Sequence, residues 1–387
     1  MRQREAVVRG VLTGLAVALF AGTATTHDVR VRRPLRVPDI PGYRTLQCDF
    51  HTHTVFSDGS VWPDVRSEEA WREGLDAIAI TDHIEYQPHE DDLPTKHERS
   101  YEIAQPHGDS LGLLVIRGSE VTRKMPPGHI NAIFLKEVTP LDTPDWREAL
   151  RAAREQGAFA FWNHPGWRGQ QPDGVARWYP EHTEIVEAGL LQGIEVVNSR
   201  EYYPEAHRWS LEKNLTPLAS SDIHAPLNLD YHVHEGDHRP MTLVFARERS
   251  EEGIREALFA RRTAAWSGEM LVGREDLLRP LVQGAITLEN PRLRVAAGQG
   301  AYLRIRNDSD LRLELSGTPP TVGLTAPESA VVAAMGTSLL EIRAPKEAAV
   351  GPVRLELAYT ISNLKIAPDT GLRFPIVVDV EVLPARE

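Results

Sequence analysis

The chain has 387 residues, room for one barrel-sized domain and a smaller companion. Hydrophobic residues at 41% and charged residues at 25% are a globular composition, which excludes a disordered or collagen-like chain. The net charge of −12 is a poor match for long nucleic acid or an anionic membrane, and a single cysteine excludes a disulfide framework, a thiolate zinc finger and an iron–sulfur cluster.

The chain begins with Arg2, Arg4 and Arg9 opposed only by Glu5, and continues through an apolar or small run over 11–24. A basic start, a short apolar run and a small-residue end have the form of a secretory signal. The run is short for a membrane span, which needs about 20 residues. Residues 1–26 are therefore read as a signal peptide or membrane anchor. The mature chain is expected to be exported, periplasmic or extracellular, with any membrane attachment confined to this segment.

Strands are expected at Thr45–Phe50, Ala77–Thr81, Leu113–Arg117, Asn131–Leu135, Ala158–Trp162, Gly193–Val197, Pro217–Ala219 and Met241–Phe245. Helical runs lie between several of them. One begins at Thr143 as N-cap, with Pro144 in the first turn and Gly157 past its end; another begins at Ser250 as N-cap. This alternation predicts a parallel α/β sheet, open or closed into a barrel, over residues 40–272. All His precede Arg239 and all Trp precede Ser267, so a boundary is expected near 272–285. Beyond it, Ala301–Arg306, Leu311–Leu315, Ser338–Arg343, Val353–Tyr359 and Phe374–Val382 alternate apolar with polar residues between turn clusters. That pattern predicts an all-β immunoglobulin-like sandwich over 280–387.

The chemistry is concentrated at the predicted strand ends. Asp49-Phe-His51-Thr-His53 places two imidazoles on one side of an extended segment, and Asp58 follows in a turn. Apolar strands end at His83, at Glu120 and at His164; His129 precedes a strand; Asp222 and His224 repeat the i, i+2 spacing. A lone histidine of this kind is usually a surface group or a hydrogen-bonded core group. Six imidazoles and three carboxylates collected at the ligand-binding end of one sheet are costly to keep there without counter-ions, and predict a multinuclear metal site. Mixed imidazole and carboxylate donors suit Mn, Fe or Zn better than Mg or Ca. Asp49 shares strand parity with the first His pair and is a candidate to orient it.

DFHTHTVFSDGS, AIAITDH, GSE, the GH before a strand, NHP and SSDIH resemble, in this order, the motifs of the PHP (polymerase and histidinol phosphatase) family, the phosphoesterase branch above all. The likeness covers residues 44–270, and Arg262-Thr263 also fits it. It implies a distorted (β/α)7 barrel that holds two or three divalent ions (Mn, Fe or Zn) on His51, His53, Asp58, His83, Glu120, His129, His164, Asp222 and His224. It further implies hydrolysis of phosphate esters, with Glu120 and Asp58 bridging metals. Bound water acidified from a pKa near 15.7 to about 7 would attack phosphorus, and Asp222 or His224 would pass a proton to the leaving group. Arg123, Arg168 and Arg200 are candidates to grip the phosphate, and Trp167, Tyr202 and Tyr203 to line the pocket. His232, His234 and His238 repeat the HxH spacing in a loop, as candidates for substrate contact rather than metal.

The expected activity is a secreted metal-dependent phosphoesterase acting on a small phosphomonoester or phosphodiester. The alternatives are an exonuclease-like hydrolase of short oligonucleotides, an amide or lactone hydrolase on the same metals, and a metal-dependent binding module. No basic stripe interleaved with aromatics supports a long nucleic-acid track.

Overall fold

The computed structural model describes residues 31–94, 96–317 and 323–385. The expected signal segment, 1–26, lies outside them; among the described residues no helix is long and apolar enough to cross a membrane. The first part of the chain runs β1 (Arg44–Asp49), α1 (Pro63–Glu73), β2 (Ala77–Ile80), α2 (Arg99–Leu111), β3 (Leu114–Val121), β4 (Ile130–Ile133), α3 (Trp146–Glu155) and β5 (Phe159–Trp162). It continues through α4 (Pro180–Glu187), β6 (Gly193–Asn198), β7 (Glu201–Tyr202), α5 (Pro204–Glu212), β8 (Thr216–Ser220), α6 (Leu227–Asp230), β9 (Met241–Ala246) and α7 (Glu251–Phe259).

These strands form one curled sheet in the order β9-β1-β2-β3-β4-β5-β6, with β8 paired to β6. The β1–β2, β2–β3, β5–β6 and β6–β8 pairs are parallel. Their strands are buried on both faces, which is why they read as unbroken apolar runs. β9 is antiparallel to β1, and β4 to both its neighbours. The mixed α/β architecture with parallel strands holds, but seven parallel strands in a closed ring are not what the hydrogen bonds draw. The loop between β3 and β4 is too short for a crossover, so β4 turns back. Side chains seal the seam. Thr242 Oγ1 donates to the Ala219 carbonyl at 2.9 Å and accepts from its N–H at 3.0 Å, and Thr263 Oγ1 donates to the Pro217 carbonyl at 2.8 Å.

The helix caps divide. Ser250 caps α7 as expected, its hydroxyl accepting from Gly253 N–H at 3.0 Å. α3 starts after the expected Thr143: Asp145 is its N-cap, with a carboxylate oxygen 3.0 Å from Arg147 N–H, while Thr143 Oγ1 donates to the Asp145 carbonyl. A carboxylate at that position also meets the positive end of the helix dipole, which a hydroxyl does not.

Past β9 the sheet continues into a hairpin that the sequence pattern did not announce, β10 (Thr263–Ser267) and β11 (Met270–Gly273). α8 (Glu275–Ala285) occupies the expected boundary. Then come β12 (Ile286–Leu288), β13 (Arg292–Ala296), β14 (Gly300–Asn307), β15 (Leu313–Gly317), β16 (Ser329–Val332), β17 (Gly336–Arg343), β18 (Gly351–Ala367) and β19 (Thr370–Leu383). β12, β14 and β17 form one sheet of the sandwich; β13, β19, β18, β15 and β16 form the other. Burial alternates along β14 and β18, as the sequence alternation requires. β18 also pairs in parallel with β11, through Leu271↔Leu364 and Val272↔Lys365, so the second sheet continues the first.

Candidate metal centre

The antiparallel course of β4 brings its N-terminal end, and His129 before it, to the edge where β1, β2, β3, β5 and β8 present their C-terminal ends. All nine predicted ligands gather at that edge, in overlapping groups. In the first, His51 Nε2 and His53 Nε2 stand side by side with Glu120 Oε2, and Asp222 Oδ1 approaches the same two nitrogens. His51 Nε2 lies 3.0 Å from His53 Nε2, 3.1 Å from Glu120 and 3.0 Å from Asp222; His53 Nε2 lies 3.3 and 3.1 Å from the same two carboxylates. Donors about 2.1 Å from one cation stand roughly 3.0 Å apart in cis-octahedral and about 3.4 Å apart in tetrahedral arrangement, so this spacing fits a common ion. In a second group Asp58 Oδ1 stands 3.2 Å from His224 Nε2 and 3.5 Å from His83 Nε2. In a third, Glu120 Oε1 faces His129 Nδ1 at 2.5 Å, with His164 Nε2 at 3.9 Å. His164 Nε2 is also 3.9 Å from Asp222 Oδ2. Glu120 and Asp222 thus each turn their two oxygens to different groups, whereas Asp58 enters these contacts through Oδ1 alone.

Asp58 Oδ1, Glu120 Oε1 and His129 Nδ1 are buried without a hydrogen-bond partner. Buried polar atoms are ordinarily satisfied, and three orphans facing other donors at one centre are what metal ligands look like before coordination. The residues therefore fit divalent ions.

The electrostatics agree. Burial alone would raise the Glu120 carboxyl, but His83, His129 and His51 pull it well below its ordinary range. Asp222 is likewise held low by His51 and His164 against burial. Burial opposes a charge on His51, yet Asp222, Glu195 and Glu120 raise it well above a free imidazole. Burial takes His164 the other way, down to about 3, leaving it neutral. The carboxylates are thus ionised and ready, and protons on His51 must leave when a cation arrives.

Local structure aims each ring. His51 and Asp222 come from neighbouring extended segments tied by Asp222 N–H to the His51 carbonyl and by His53 N–H to the Ile223 carbonyl. His224 Nδ1 donates to the Asp222 carbonyl at 2.7 Å, turning Nε2 toward Asp58. His53 Nδ1 reaches Ser57 Oγ, which donates to Asp82. The turn carrying Asp58 needs Gly59, where a Cβ would stand 2.7 Å from the His53 and Thr54 backbone. His164, Asp222 and Ser199 adopt φ of 29°, 54° and 52°, strain gathered at one site.

Four supporting residues escape a reading of the sequence. Glu195, fully buried in β6, accepts from His51 Nδ1 at 2.9 Å, from His164 N–H at 2.6 Å and from Asn198 Nδ2 at 2.8 Å. Its one visible signal is a carboxylate inside the apolar run GIEVVN. Asp82 accepts from Thr54 and Ser57. Arg66 on α1 donates to the carbonyls of His53, His224 and Ala225. Arg239, wholly buried, binds Glu73 and Asp49. Asp49 does not reach the imidazole rings: its carboxylate takes the N–H and hydroxyl of Ser221, beside Asp222.

The centre floors a cavity of about 660 Å3, also lined by Trp167, Arg168, Asn198, Ser199, Arg200, Glu201 and Tyr203. Arg168 reaches it without an ion-pair partner among the described residues. Arg200 also lines it, but its guanidinium is spent on Asp237 at 2.6 Å and the Asp230 carbonyl at 3.0 Å. Arg123 lies away from the cavity, held by Glu85 at 2.7 Å and the Thr143 carbonyl at 2.6 Å. Although it follows a strand end, the neighbouring carboxylate captures it. Asp222 and His224, the candidate proton donors, both face the donor groups described above. Trp167 stands at the mouth, its ring 5.3 Å from His164 and 5.7 Å from His129. His232 and His234 are exposed, and His238 binds the Arg239 and Gly268 carbonyls; none lines the cavity.

The family model DUF5001, an Ig-like domain, matches residues 286–376. None of the curated proteins compared with the chain matches it. A crystal structure from Bacteroides vulgatus, a two-domain protein containing a predicted PHP-like metal-dependent phosphoesterase, is 46% identical over 90% of this chain and 99% of that one, with a TM-score of 0.83. A candidate metal-dependent phosphoesterase from Bifidobacterium adolescentis is 18% identical over 46% of this chain and 87% of that one (TM-score 0.36). An amidohydrolase from Chromobacterium violaceum with bound sulfate is 16% identical over 46% and 88% (TM-score 0.35). Likeness at that level bears on neither function nor site. The match along nearly the whole length of the Bacteroides protein, with the motifs and the assembled donor groups, decides the matter: this chain belongs to the two-domain PHP-like family, with an Ig-like domain after its metal-binding domain.

Proposed function

We propose that the protein is an exported metal-dependent phosphoesterase that hydrolyses small phosphomonoesters or phosphodiesters. The observation that carries this reading is the convergence of six imidazoles and three carboxylates, with orphaned buried donor atoms, at one centre; Asp58, His83, His129, His164, Asp222 and His224 line an open cavity, and His51, His53 and Glu120 are buried. His51, His53, Asp58, His83, Glu120, His129, His164, Asp222 and His224 would hold two or three ions of the Mn, Fe or Zn type. Such ions, when bound, supply positive charge for phosphoryl oxygens and acidify water near neutral pH. Glu195, through His51 Nδ1, fixes which nitrogen faces the cage. Arg168 is the cavity's uncommitted guanidinium and is placed to hold a phosphate oxygen or an anionic substituent. The kinship with the Bacteroides protein supports the ester class, and the basic-then-apolar start of the chain supports export.

The test is hydrolysis of p-nitrophenyl phosphate and bis(p-nitrophenyl) phosphate by the Mn(II)-loaded full chain. Turnover of at least one ester is expected, with a loss of about 100-fold or more in Glu120→Ala, as for removal of electrostatic stabilisation at a reacting centre. Full metal loading with no turnover of either ester would refute the proposal.

A further inference from the structure

Besides the donor groups, the cavity lining includes an exposed carboxylate, which would repel an anion beside it. Glu201 is that carboxylate, and the Tyr203 hydroxyl donates to its Oε2 at 3.1 Å. Asn198 lines the same cavity; its amide nitrogen is committed to Glu195, so its carbonyl oxygen is the group left to accept. Both side chains come from one tight hairpin, β6 to β7, forced by Ser199 at φ 52°. Arg200, in the turn of this hairpin, pins it by binding Asp237 and covering the Tyr231 ring at 4.8 Å. A carboxylate facing a phosphate would repel it, and burying a carboxylate against an apolar group would leave it unsatisfied. With metal ions bound, the same cavity would offer a phosphate a cationic floor beside Arg168. Its two sides therefore call for a ligand that is anionic at one end and rich in hydrogen-bond donors at the other. The Trp167 face at the mouth adds an apolar surface for carbon–hydrogen groups.

Resting on the phosphoesterase reading, we propose that the substrate's alcohol portion is hydroxyl-rich, a polyol or sugar phosphate, and that Glu201 is the residue that selects it, oriented by Tyr203. A hydrogen bond to a charged acceptor is worth more than one to a neutral group, and a site built to bind a hydroxyl rejects the analogue that lacks it.

The experiment compares two non-hydrolysable ligands that differ only in hydroxyls, 3,4-dihydroxybutylphosphonate and butylphosphonate, by calorimetry on the Mn(II)-loaded full chain. The proposal expects the dihydroxy compound to bind at least about tenfold more tightly. It expects that ratio to fall toward one in Glu201→Ala and to fall less in Tyr203→Phe, at the metal content of the parent chain. Aminopropylphosphonate serves as the cationic arm: if it binds better than the dihydroxy compound and loses its advantage in Glu201→Gln, Glu201 recognises an ammonium group and the polyol assignment is overturned. Equal binding of the dihydroxy and plain phosphonates overturns it as well, while leaving the phosphoesterase reading intact if the p-nitrophenyl esters are turned over. No binding of any phosphonate together with no ester turnover overturns both.

Discussion

Glu195 shows how much of a metal centre is decided by a residue that ligates nothing. Its two oxygens satisfy His51 Nδ1, the His164 N–H and the Asn198 amide. It thereby sets the tautomer of one ligand, the strained backbone of another and the root of the substrate hairpin. In Glu195→Gln the amide can accept at only one end, so at least one of these donors loses its partner. Loss of such a supporting hydrogen bond typically weakens metal binding about 10–100-fold. Competition with a chromogenic chelator should show a drop in Mn(II) or Zn(II) affinity of that size; unchanged affinity would mean that His51 holds its orientation unaided. The ligands themselves are legible because all but Asp58, which follows in a turn, lie at or just beyond a strand end, where periodicity and position can be read locally. Glu195, Arg66 and Arg239 were not, because their partners lie far along the chain: His51 and Glu195 are 144 residues apart, and Asp49 and Arg239 are 190.

Elements read well where one local pattern dominates and poorly where the fold imposes the outcome. The apolar strands β2, β5 and β6 were visible because burial on both faces leaves no polar alternation. The β10–β11 hairpin is a short element held between β9 and β18, a pairing that no window of sequence displays. α4 illustrates a helix held by one side chain. His182 stacks on Trp162 at 3.7 Å, pairs its Nε2 with the Pro127 carbonyl at 2.8 Å, and accepts from Tyr179 N–H at 3.0 Å, closing a capping box. Burial lowers its pKa to about 4, against 6.5 in the unfolded chain. Below pH 6.5 the unfolded chain takes up a proton that the native ring refuses, so this contribution is complete above pH 6.5 and is lost as pH falls through about 4. The size is about 3 kcal/mol. His182→Gln keeps a donor for Pro127 but does not titrate. The stability gap between wild type and variant should therefore be largest at pH 7 and close toward pH 4, as read by chemical denaturation. A gap independent of pH would show that the ring is not held neutral.

At the scale of the whole molecule, the Ig-like part is not a tethered appendage. β11 and β18 share a ladder, Asn363 Nδ2 donates to the Glu269 carbonyl at 2.6 Å, and Arg279 Nη2 donates to the Arg373 carbonyl at 2.9 Å. Lys365 on β18 lies over the ring of Tyr202, 5.7 Å from its centroid, in the strand that carries Glu201 into the cavity. Composition distinguished two parts of the chain because histidine and tryptophan stop where the metal-binding part stops. It could not show that their sheets join, since strand pairing between distant segments leaves no local trace. The proposed activity requires cations bound by several strand ends at once, and elemental analysis of the full chain reconstituted with Mn(II) or Zn(II) tests this most directly. At least two ions per chain are expected, and Glu120→Ala should lose more than one equivalent, because Glu120 turns an oxygen to each of two donor groups. Fewer than two ions in the reconstituted wild-type chain would contradict it.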